Sequence, residues 1–169
     1  MDGFNVAEVI IRRADKGDAD ALAEMWLSLV AFHQQLSEDL PGAARGGEHR
    51  YVRRIMERLD DPYTCALVAE WEGQVVGFVL GMVIDLMPDI FDQKPSGFLA
   101  DIYVESHVRR QGVGRNLVNE LMSWFRQCGI QTFDWHVSSN NPEGLAFWRS
   151  MGGRDVMIRM RADVGDKND

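Results

Sequence analysis

One stretch of the sequence decides the fold: Val104-Glu105-Ser106-His107-Val108-Arg109-Arg110-Gln111-Gly112-Val113-Gly114-Arg115. A β-rich run ends at its start, a turn with two glycines follows, and an amphipathic helix begins directly after the turn. Unpaired N–H groups and the positive end of the helix dipole make a helix start favourable for an anion. Gly112 and Gly114 let the backbone approach an anion closely, and Arg109, Arg110 and Arg115 add positive charge. The turn therefore predicts an anion-binding site.

Two common nucleotide-binding motifs do not fit this turn. The Rossmann pattern G-x-G-x-x-G needs a third glycine, which is missing at Leu117, and a P-loop needs Gly-Lys-Ser/Thr at its end. A nucleotide-binding α/β domain is therefore a disfavoured alternative. An ordinary strand–turn–helix junction with surface arginines also fits the two glycines taken alone.

Strands and helices alternate on both sides of this turn. β-Rich runs predict strands at 9–13, 64–70, 74–84, 97–105, 132–137 and 155–161, and helical periodicity predicts four helices between them. Asp18 is the predicted N-cap of the first helix, and Asn141 with Pro142 begins the fourth. This order predicts an α/β (α+β) chain with one mixed sheet and helices on its faces.

A second motif follows the turn at a distance of one helix and one strand: Asn141-Pro142-Glu143-Gly144-Leu145-Ala146-Phe147-Trp148-Arg149-Ser150-Met151-Gly152. Together with Arg109-x-x-Gly112-x-Gly114, it resembles the paired signatures of the GNAT superfamily of N-acetyltransferases. The resemblance covers residues 98–153, and the run 98–104 looks most like the members that acetylate diamines and other small amines. It implies a single GNAT-type domain over residues 1–169, with six to seven strands, about four helices, and flexible ends at 1–8 and 163–169.

The resemblance also implies acetyl-CoA as co-substrate and assigns residues to hold it. The backbone of the strand end would pair with the pantetheine arm, the turn would hold the pyrophosphate, and the Asn141 side chain would contact the pantetheine. Phe147 and Trp148 would line the path near the thioester. The complete predicted set is Ile102, Tyr103, Val104, Arg109, Arg110, Gln111, Gly112, Val113, Gly114, Arg115, Asn141, Phe147 and Trp148. From the residues alone, Asn141 also fits a helix cap and Phe147 also fits the core.

Proton transfer sets the catalytic requirements for such an enzyme. An alkylamine with a pKa near 10.4 costs roughly 4 kcal/mol to deprotonate at pH 7, whereas protonating a leaving thiolate with a pKa near 8.5 is worth only about 2 kcal/mol. The general base therefore matters more than the acid. Asp101 is the first candidate base, His136 the second and Glu105 the third, while Tyr103 is a candidate acid.

Two positions depart from the family pattern. Trp148 stands where many members carry a Tyr that acts as general acid, and an indole N–H cannot serve as a proton donor at physiological pH. Ala100 stands where the diamine-type members carry a Glu beside the Asp. These departures favour a second hypothesis, in which the chain is a sensor or regulatory protein that binds acyl-CoA without turnover.

Composition narrows the partners. The formal net charge of −8 argues against a nucleic-acid-binding protein, which needs clustered Lys and Arg. No apolar run approaches the roughly 20 residues of a membrane span. With no signal peptide and two lone cysteines lacking metal-ligand spacing, the sequence predicts a cytoplasmic protein without a metal site. Apolar residues of the predicted last strand allow a homodimer, because an uncovered edge strand is a template for pairing.

The acceptor is expected to be a primary amine of a small molecule or peptide, which attacks the thioester directly in a ternary complex. Its specificity should be determined by two variable segments, residues 33–50 and 85–96. The carboxylates that these segments offer to a cation are Glu38, Asp39, Glu48, Asp85, Asp89 and Asp92.

Overall fold

The computed structural model describes residues 5–85 and 94–165, which form a five-stranded sheet in the order β1-β2-β3-β4-β5. Its strands are β1 (Ile10–Arg13), β2 (Thr64–Trp71), β3 (Gln74–Ile84), β4 (Ser96–Val104) and β5 (Phe133–Trp135). The helices are α1 (Ala19–Leu36), α2 (Gly47–Met56), α3 (Val113–Gln127) and α4 (Pro142–Ser150). The first four strands pair antiparallel and β5 joins β4 in parallel, so the sheet is mixed as predicted.

The prediction of six to seven strands is wrong for the described residues. The sixth predicted strand, 155–161, forms no strand, because none of the described strands pairs with it. Its Met157 and Ile158 side chains are 88% and 85% exposed. Two contacts of its charged side chains join it to the fold: Arg161 Nη1 donates to the carbonyl oxygen (2.7 Å) and Oδ1 (3.1 Å) of Asp39, and Asp155 Oδ2 lies 3.5 Å from Arg149 Nη2 of α4.

Some of the sequence-based expectations fall outside the described residues. Most of the predicted loop 85–96 does so, including its carboxylates Asp89 and Asp92. The same is true of residues 1–4 and 166–169 at the two ends that the resemblance implies to be flexible.

Two hydrophobic clusters lie on opposite faces of the sheet. Alternate residues of a strand face opposite sides, so Leu67 and Val79 pack toward α3, whereas Val68 and Phe78 pack toward α1 and α2. The first cluster includes Leu117, Leu121 and Phe125 of α3 with Trp148 of α4. The second includes Leu22, Met25 and Leu29 of α1 with Val52 and Ile55 of α2. The sheet therefore separates an α3/α4 side from an α1/α2 side.

A β-bulge in β4 shifts the strand register at Ala100. Leu80 of β3 pairs with Asp101, but the next residue, Gly81, pairs with Leu99 and leaves Ala100 unpaired. Leu99 packs on the α3/α4 side, whereas Ala100 packs on the α1/α2 side and Asp101 contacts α2 there. The bulge thus places two successive side chains on the α1/α2 side, and a bulge next to a cavity commonly re-aims a side chain in this way.

The start of α1 differs from the predicted cap. The Asp18 side chain makes no capping hydrogen bond to α1, because both of its oxygens accept hydrogen bonds of 2.8 Å from the Arg12 guanidinium and Oδ2 also accepts from the Asp15 N–H at 2.8 Å. Arg12 Nε also donates to Glu70 at 2.8 Å, so the group links β1, β2 and the start of α1. The predicted cap of α4 is confirmed, because Asn141 Oδ1 accepts from the Gly144 N–H at 2.9 Å.

Candidate functional site

A cavity of about 660 Å³ opens where β4 and β5 diverge. β5 pairs with β4 only from Gly97 to Leu99, so the following residues of β4 have no strand partner on that edge within the described sheet. The side chain of Asn140, before α4, donates to the Leu36 carbonyl oxygen at 3.0 Å and thereby joins this region to the end of α1. The cavity is therefore bounded by β4, by the start of α3, by α4 and by α1.

The backbone of β4 faces this gap at Ile102 and Val104. The Glu105 N–H donates to Val76 of β3 at 2.9 Å, and the backbone groups of neighbouring residues in an extended strand point to opposite edges. The groups of Val104, and of Ile102 two residues earlier, therefore point away from β3 into the gap. Arg109 Nε donates to the Val104 carbonyl oxygen at 2.7 Å. An extended chain with amide groups fits beside this edge as an added strand.

The turn before α3 has the backbone that the anion-site prediction requires. Gly112, at the N-cap, has φ +96°, a conformation that a side chain disfavours, and no side-chain hydrogen bond caps the helix there. The first intrahelical bond runs from the Asn116 N–H to the Gly112 carbonyl oxygen at 3.0 Å. The N–H groups of Val113, Gly114 and Arg115 precede that bond and are available to an anion.

The cavity brings together most, but not all, of the predicted cofactor residues. Gln111 and Val113 do not line it: Gln111 Nε2 donates to the His107 carbonyl oxygen at 3.2 Å, and the Val113 side chain is buried in the core. The predicted residues that line it are Ile102, Tyr103, Val104, Arg109, Arg110, Gly112, Gly114, Arg115, Asn141, Phe147 and Trp148.

Trp148 reaches the cavity but belongs mainly to an aromatic cluster. It is 7% exposed, and its ring centroid lies 4.5 Å from that of Trp135 and 4.9 Å from that of Phe147. The position at which the family pattern expects a phenol is therefore occupied by a packed indole. Phe147 lines the same wall beside Gly114, at whose position an added Cβ would lie 3.7 Å from Phe147 Cζ.

Asp101 lies at the α1/α2 end of the cavity in a partly buried position. Its Oδ2 accepts a hydrogen bond of 3.0 Å from the Tyr51 hydroxyl of α2, and His33 of α1 lines the cavity nearby. Burial raises the pKa of Asp101 above its usual 3.8, while the Tyr51 hydrogen bond and the His33 charge oppose the rise. Burial lowers the pKa of His33, and the Asp101 charge opposes that change. A buried carboxylate of this kind is suited to accept a proton.

The other predicted catalytic residues are placed differently from one another. His136 lines the cavity, and its ring meets Phe98 edge-on at 5.4 Å between centroids. Tyr103 also lines the cavity, with the Arg109 guanidinium 5.3 Å from its ring centroid. Glu105, the third candidate base, is not among the residues that line the cavity.

Sequence reasoning missed two residues of this site, His33 and Tyr51. Tyr51 falls on the apolar face of α2, where an aromatic residue indicates only core packing, and His33 falls in the last turn of α1. The sequence contains one weak indication of the Tyr51 contact: a tyrosine on an apolar face has a hydroxyl that needs a hydrogen-bond partner when it is buried.

Among residues 5–85 and 94–165, neither a cluster of metal ligands nor a membrane-spanning helix is found. No group of three or more His, Cys, Asp or Glu side chains is placed to hold a metal ion in these ranges. No helix in the same ranges is both long and apolar enough to cross a membrane.

Comparison with known proteins connects this geometry to a family. The family model for the acetyltransferase (GNAT) family matches residues 29–152. An uncharacterized N-acetyltransferase of Archaeoglobus fulgidus is 26% identical over 140 residues, covering 83% of this chain and 89% of that protein. An L-2,4-diaminobutyric acid acetyltransferase of Nocardia farcinica is 24% identical over 149 residues, covering 88% of this chain and 66% of its own length.

The fold has relatives among solved structures as well. A mutant of the BH1408 protein from Bacillus halodurans superposes with a TM-score of 0.81 at 19% identity, covering 92% of this chain and 99% of that one. The family match begins within α1, ends just after α4 and includes both sequence signatures. The chain belongs to the GNAT family of acetyltransferases. It is an acyl-CoA-dependent acetyltransferase with acetyl-CoA as its co-substrate.

Proposed function

We propose that this chain acetylates a primary amine of a small molecule or peptide by direct attack on the thioester in a ternary complex. The observation that carries the proposal is Asp101, a partly buried carboxylate at the α1/α2 end of the cavity. Deprotonating an alkylamine costs roughly 4 kcal/mol at pH 7. A carboxylate that is poorly solvated takes a proton more readily than one in water, so Asp101 offsets part of that cost. His136 is the second candidate for this role.

The residues around the cavity fit acetyl-CoA. The backbone of Ile102 and Val104 offers donors and acceptors to the amides of the pantetheine arm, and the three free N–H groups at the start of α3 face an anion. Arg110 and Arg115 add positive charge for the pyrophosphate. The Asn141 side chain, which lines the wall at the start of α4, is proposed to contact the pantetheine.

The proposed proton donor to the leaving sulfur is Tyr103. Trp148 cannot fill that role, and Tyr103 is the phenol on the family's pantetheine-facing strand that lines the cavity. Since protonating the thiolate is worth only about 2 kcal/mol, a less favourably placed donor slows the reaction without abolishing it.

The test is release of free thiol. We expect acetyl-CoA to bind the purified protein in titration calorimetry and a thiol to appear only when an amine is added. L-2,4-Diaminobutyric acid, named for the Nocardia relative, is the first amine to screen. Binding without thiol release from any amine would instead support an acyl-CoA-binding protein without turnover, which Trp148 and Ala100 favour. Absence of binding would contradict both.

We further propose that residues 1–169 act as one cytoplasmic N-acetyltransferase domain. A single sheet carries both sides of the cavity, and the free thiols of Cys65 and Cys128 suit a reducing compartment.

The C-terminal segment 155–161 is proposed to pair with a second copy of the chain. It exposes large apolar side chains, and β5, at the edge of the described sheet, offers a strand edge for pairing. We expect the parent to be a dimer by light scattering after size exclusion, and the double variant Met157→Asp, Ile158→Asp to be a monomer. Val164→Asp, an equally exposed change beyond the segment, should remain dimeric. A monomeric parent would contradict this.

A further inference from the structure

We infer that Tyr51 is a positioning residue, which holds Oδ2 of Asp101 and leaves Oδ1 to accept the proton of the acceptor amine. This inference rests on the proposed acetylation of an amine. It concerns a residue of α2, an element that carries neither of the two cofactor signatures.

The Tyr51 side chain is fixed by contacts on two sides. Its ring stacks on Trp26 of α1 with 5.0 Å between centroids and 20° between planes. It meets Phe78 of β3 edge-on at 6.5 Å. With the ring held in this way, the hydroxyl is directed at Asp101 and donates to Oδ2 at 3.0 Å. The Tyr51 pKa is raised well above 10 by burial first and by the Asp101 charge next, so the hydroxyl remains a donor throughout the working pH range.

A purely structural pair does not explain this arrangement well. Burying a carboxylate is costly, and a phenol can be satisfied by a neutral acceptor such as an amide or a carbonyl oxygen. The pair is also placed at the wall of the cavity rather than within a closed core, because Asp101 lines the cavity. A role in the chemistry of the cavity therefore explains why the acceptor for the Tyr51 hydroxyl is a charged carboxylate.

Because the two oxygens of Asp101 have different roles, the proton transfer can be assigned to one atom. Oδ1 takes a proton from the acceptor ammonium, which gives a neutral amine and a carboxylic acid. The amine nitrogen then forms a bond to the acetyl carbon, the carbon–sulfur bond breaks, and the remaining proton lost from nitrogen ends on the sulfur. Because Tyr51 holds Oδ2, rotation of the carboxyl group between these steps is restrained.

Titratable and charged groups from several elements line the cavity with Asp101. They include His33 of α1, Tyr103 of β4, His136 just after β5 and Arg109 of the turn, while Tyr51 of α2 contacts Asp101 directly and the residue paired with it on β3 is the apolar Leu80. Of these, Tyr51 makes the direct hydrogen bond, and its effect on the carboxyl pKa is larger than that of the His33 charge.

The test is Tyr51→Phe, which removes only the hydroxyl. Because the hydrogen bond favours the ionised carboxylate, its loss should raise the Asp101 pKa and move the acidic limb of kcat/KM to higher pH by about one unit. kcat should fall about 10-fold even above that limb, since the carboxyl group is no longer held. His33→Gln should shift the limb in the same direction by a smaller amount. Tyr63→Phe, at a tyrosine that is 62% exposed, is the matched control.

A direct titration separates this inference from the proposed function. Carbon-13 NMR of the Asp101 carboxyl should show a higher pKa in Tyr51→Phe than in the parent, with or without an acceptor. If the parent releases no thiol, the proposed function fails while the titration still reports on Tyr51. The inference about Tyr51 is overturned by a different result in an active parent. In that result Tyr51→Phe is folded and binds acetyl-CoA, and its acidic limb of kcat/KM, its kcat and its Asp101 carboxyl titration all equal those of the parent.

Discussion

Asp101→Asn is expected to lower kcat by about 10²- to 10⁴-fold, equivalent to roughly 3–5 kcal/mol in the activation barrier. The amide keeps an oxygen that accepts from the Tyr51 hydroxyl, so the local packing is preserved, but it cannot take a proton from the amine. The measurement is thiol release under saturating acetyl-CoA, with binding of acetyl-CoA checked separately by calorimetry. An activity within threefold of that of the parent would show that Asp101 is not the general base, and His136 would become the first candidate.

For the stability of the fold we expect no such loss in Asp101→Asn. Burial raises the Asp101 pKa above 3.8, so the folded state disfavours the ionised carboxylate. The parent therefore loses stability as pH rises from the unfolded value through the folded pKa. Asp101→Asn has no such titration, and its melting temperature at pH 7 should equal or exceed that of the parent. If the Asp101→Asn variant is inactive but melts no lower than the parent, Asp101 serves function rather than stability.

Gly114→Trp is expected to weaken acetyl-CoA binding at least about 100-fold, or about 2.7 kcal/mol. Gly114 lines the cavity at the start of α3 and does not have a positive φ, so the substitution does not strain the backbone as one at Gly112 would. An added Cβ there meets Val104 and Phe147 at an ordinary 3.7 Å. Because Gly114 lines the cavity, we expect the indole beyond that Cβ to fill space beside the free N–H groups.

The control for that experiment is the same substitution at Gly165, where an added Cβ has no neighbour within 4 Å. Calorimetry should find parental binding in Gly165→Trp and none in Gly114→Trp, with both proteins folded by circular dichroism. Gly114→Ala should be intermediate in binding, and helix propensity favours its fold by roughly 0.5–1 kcal/mol. Tight binding to a folded Gly114→Trp would place the pyrophosphate elsewhere.

The parts of the site that the sequence predicts are those set by local rules. The turn at Gly112 needs a residue that tolerates a positive φ, and Asn141 with Pro142 is a local helix start, so both are visible in a single sequence. Four helices and the first five strands follow from periodicity for the same reason. Asp101, the first candidate base, lines the cavity on the α1/α2 side, whereas the bulge at Ala100 beside it was not foreseen.

The missed features depend on contacts between distant parts of the chain. Tyr51 and Asp101 are fifty positions apart, and their hydrogen bond appears only once α2 is packed on the sheet. Asp18 has the residue type and position of a cap, but the Arg12 guanidinium competes for its oxygens. The segment 155–161 has the composition of a strand, yet composition does not supply a partner.

The presence of separate hydrophobic clusters on the two faces of the sheet has a consequence for how this enzyme can diverge. Most residues proposed to hold the cofactor belong to β4, α3 and α4, whereas α1 and α2 border Asp101 from a cluster of their own. We therefore expect changes in α1 and α2 that spare Phe32, whose ring centroid lies 5.9 Å from the Arg109 guanidinium, to leave binding of acetyl-CoA largely unchanged. A mutational library confined to the rest of α1 and α2 is the economical route to new acceptors, and the same separation would let natural selection change the acceptor while the acetyl-CoA site stays intact.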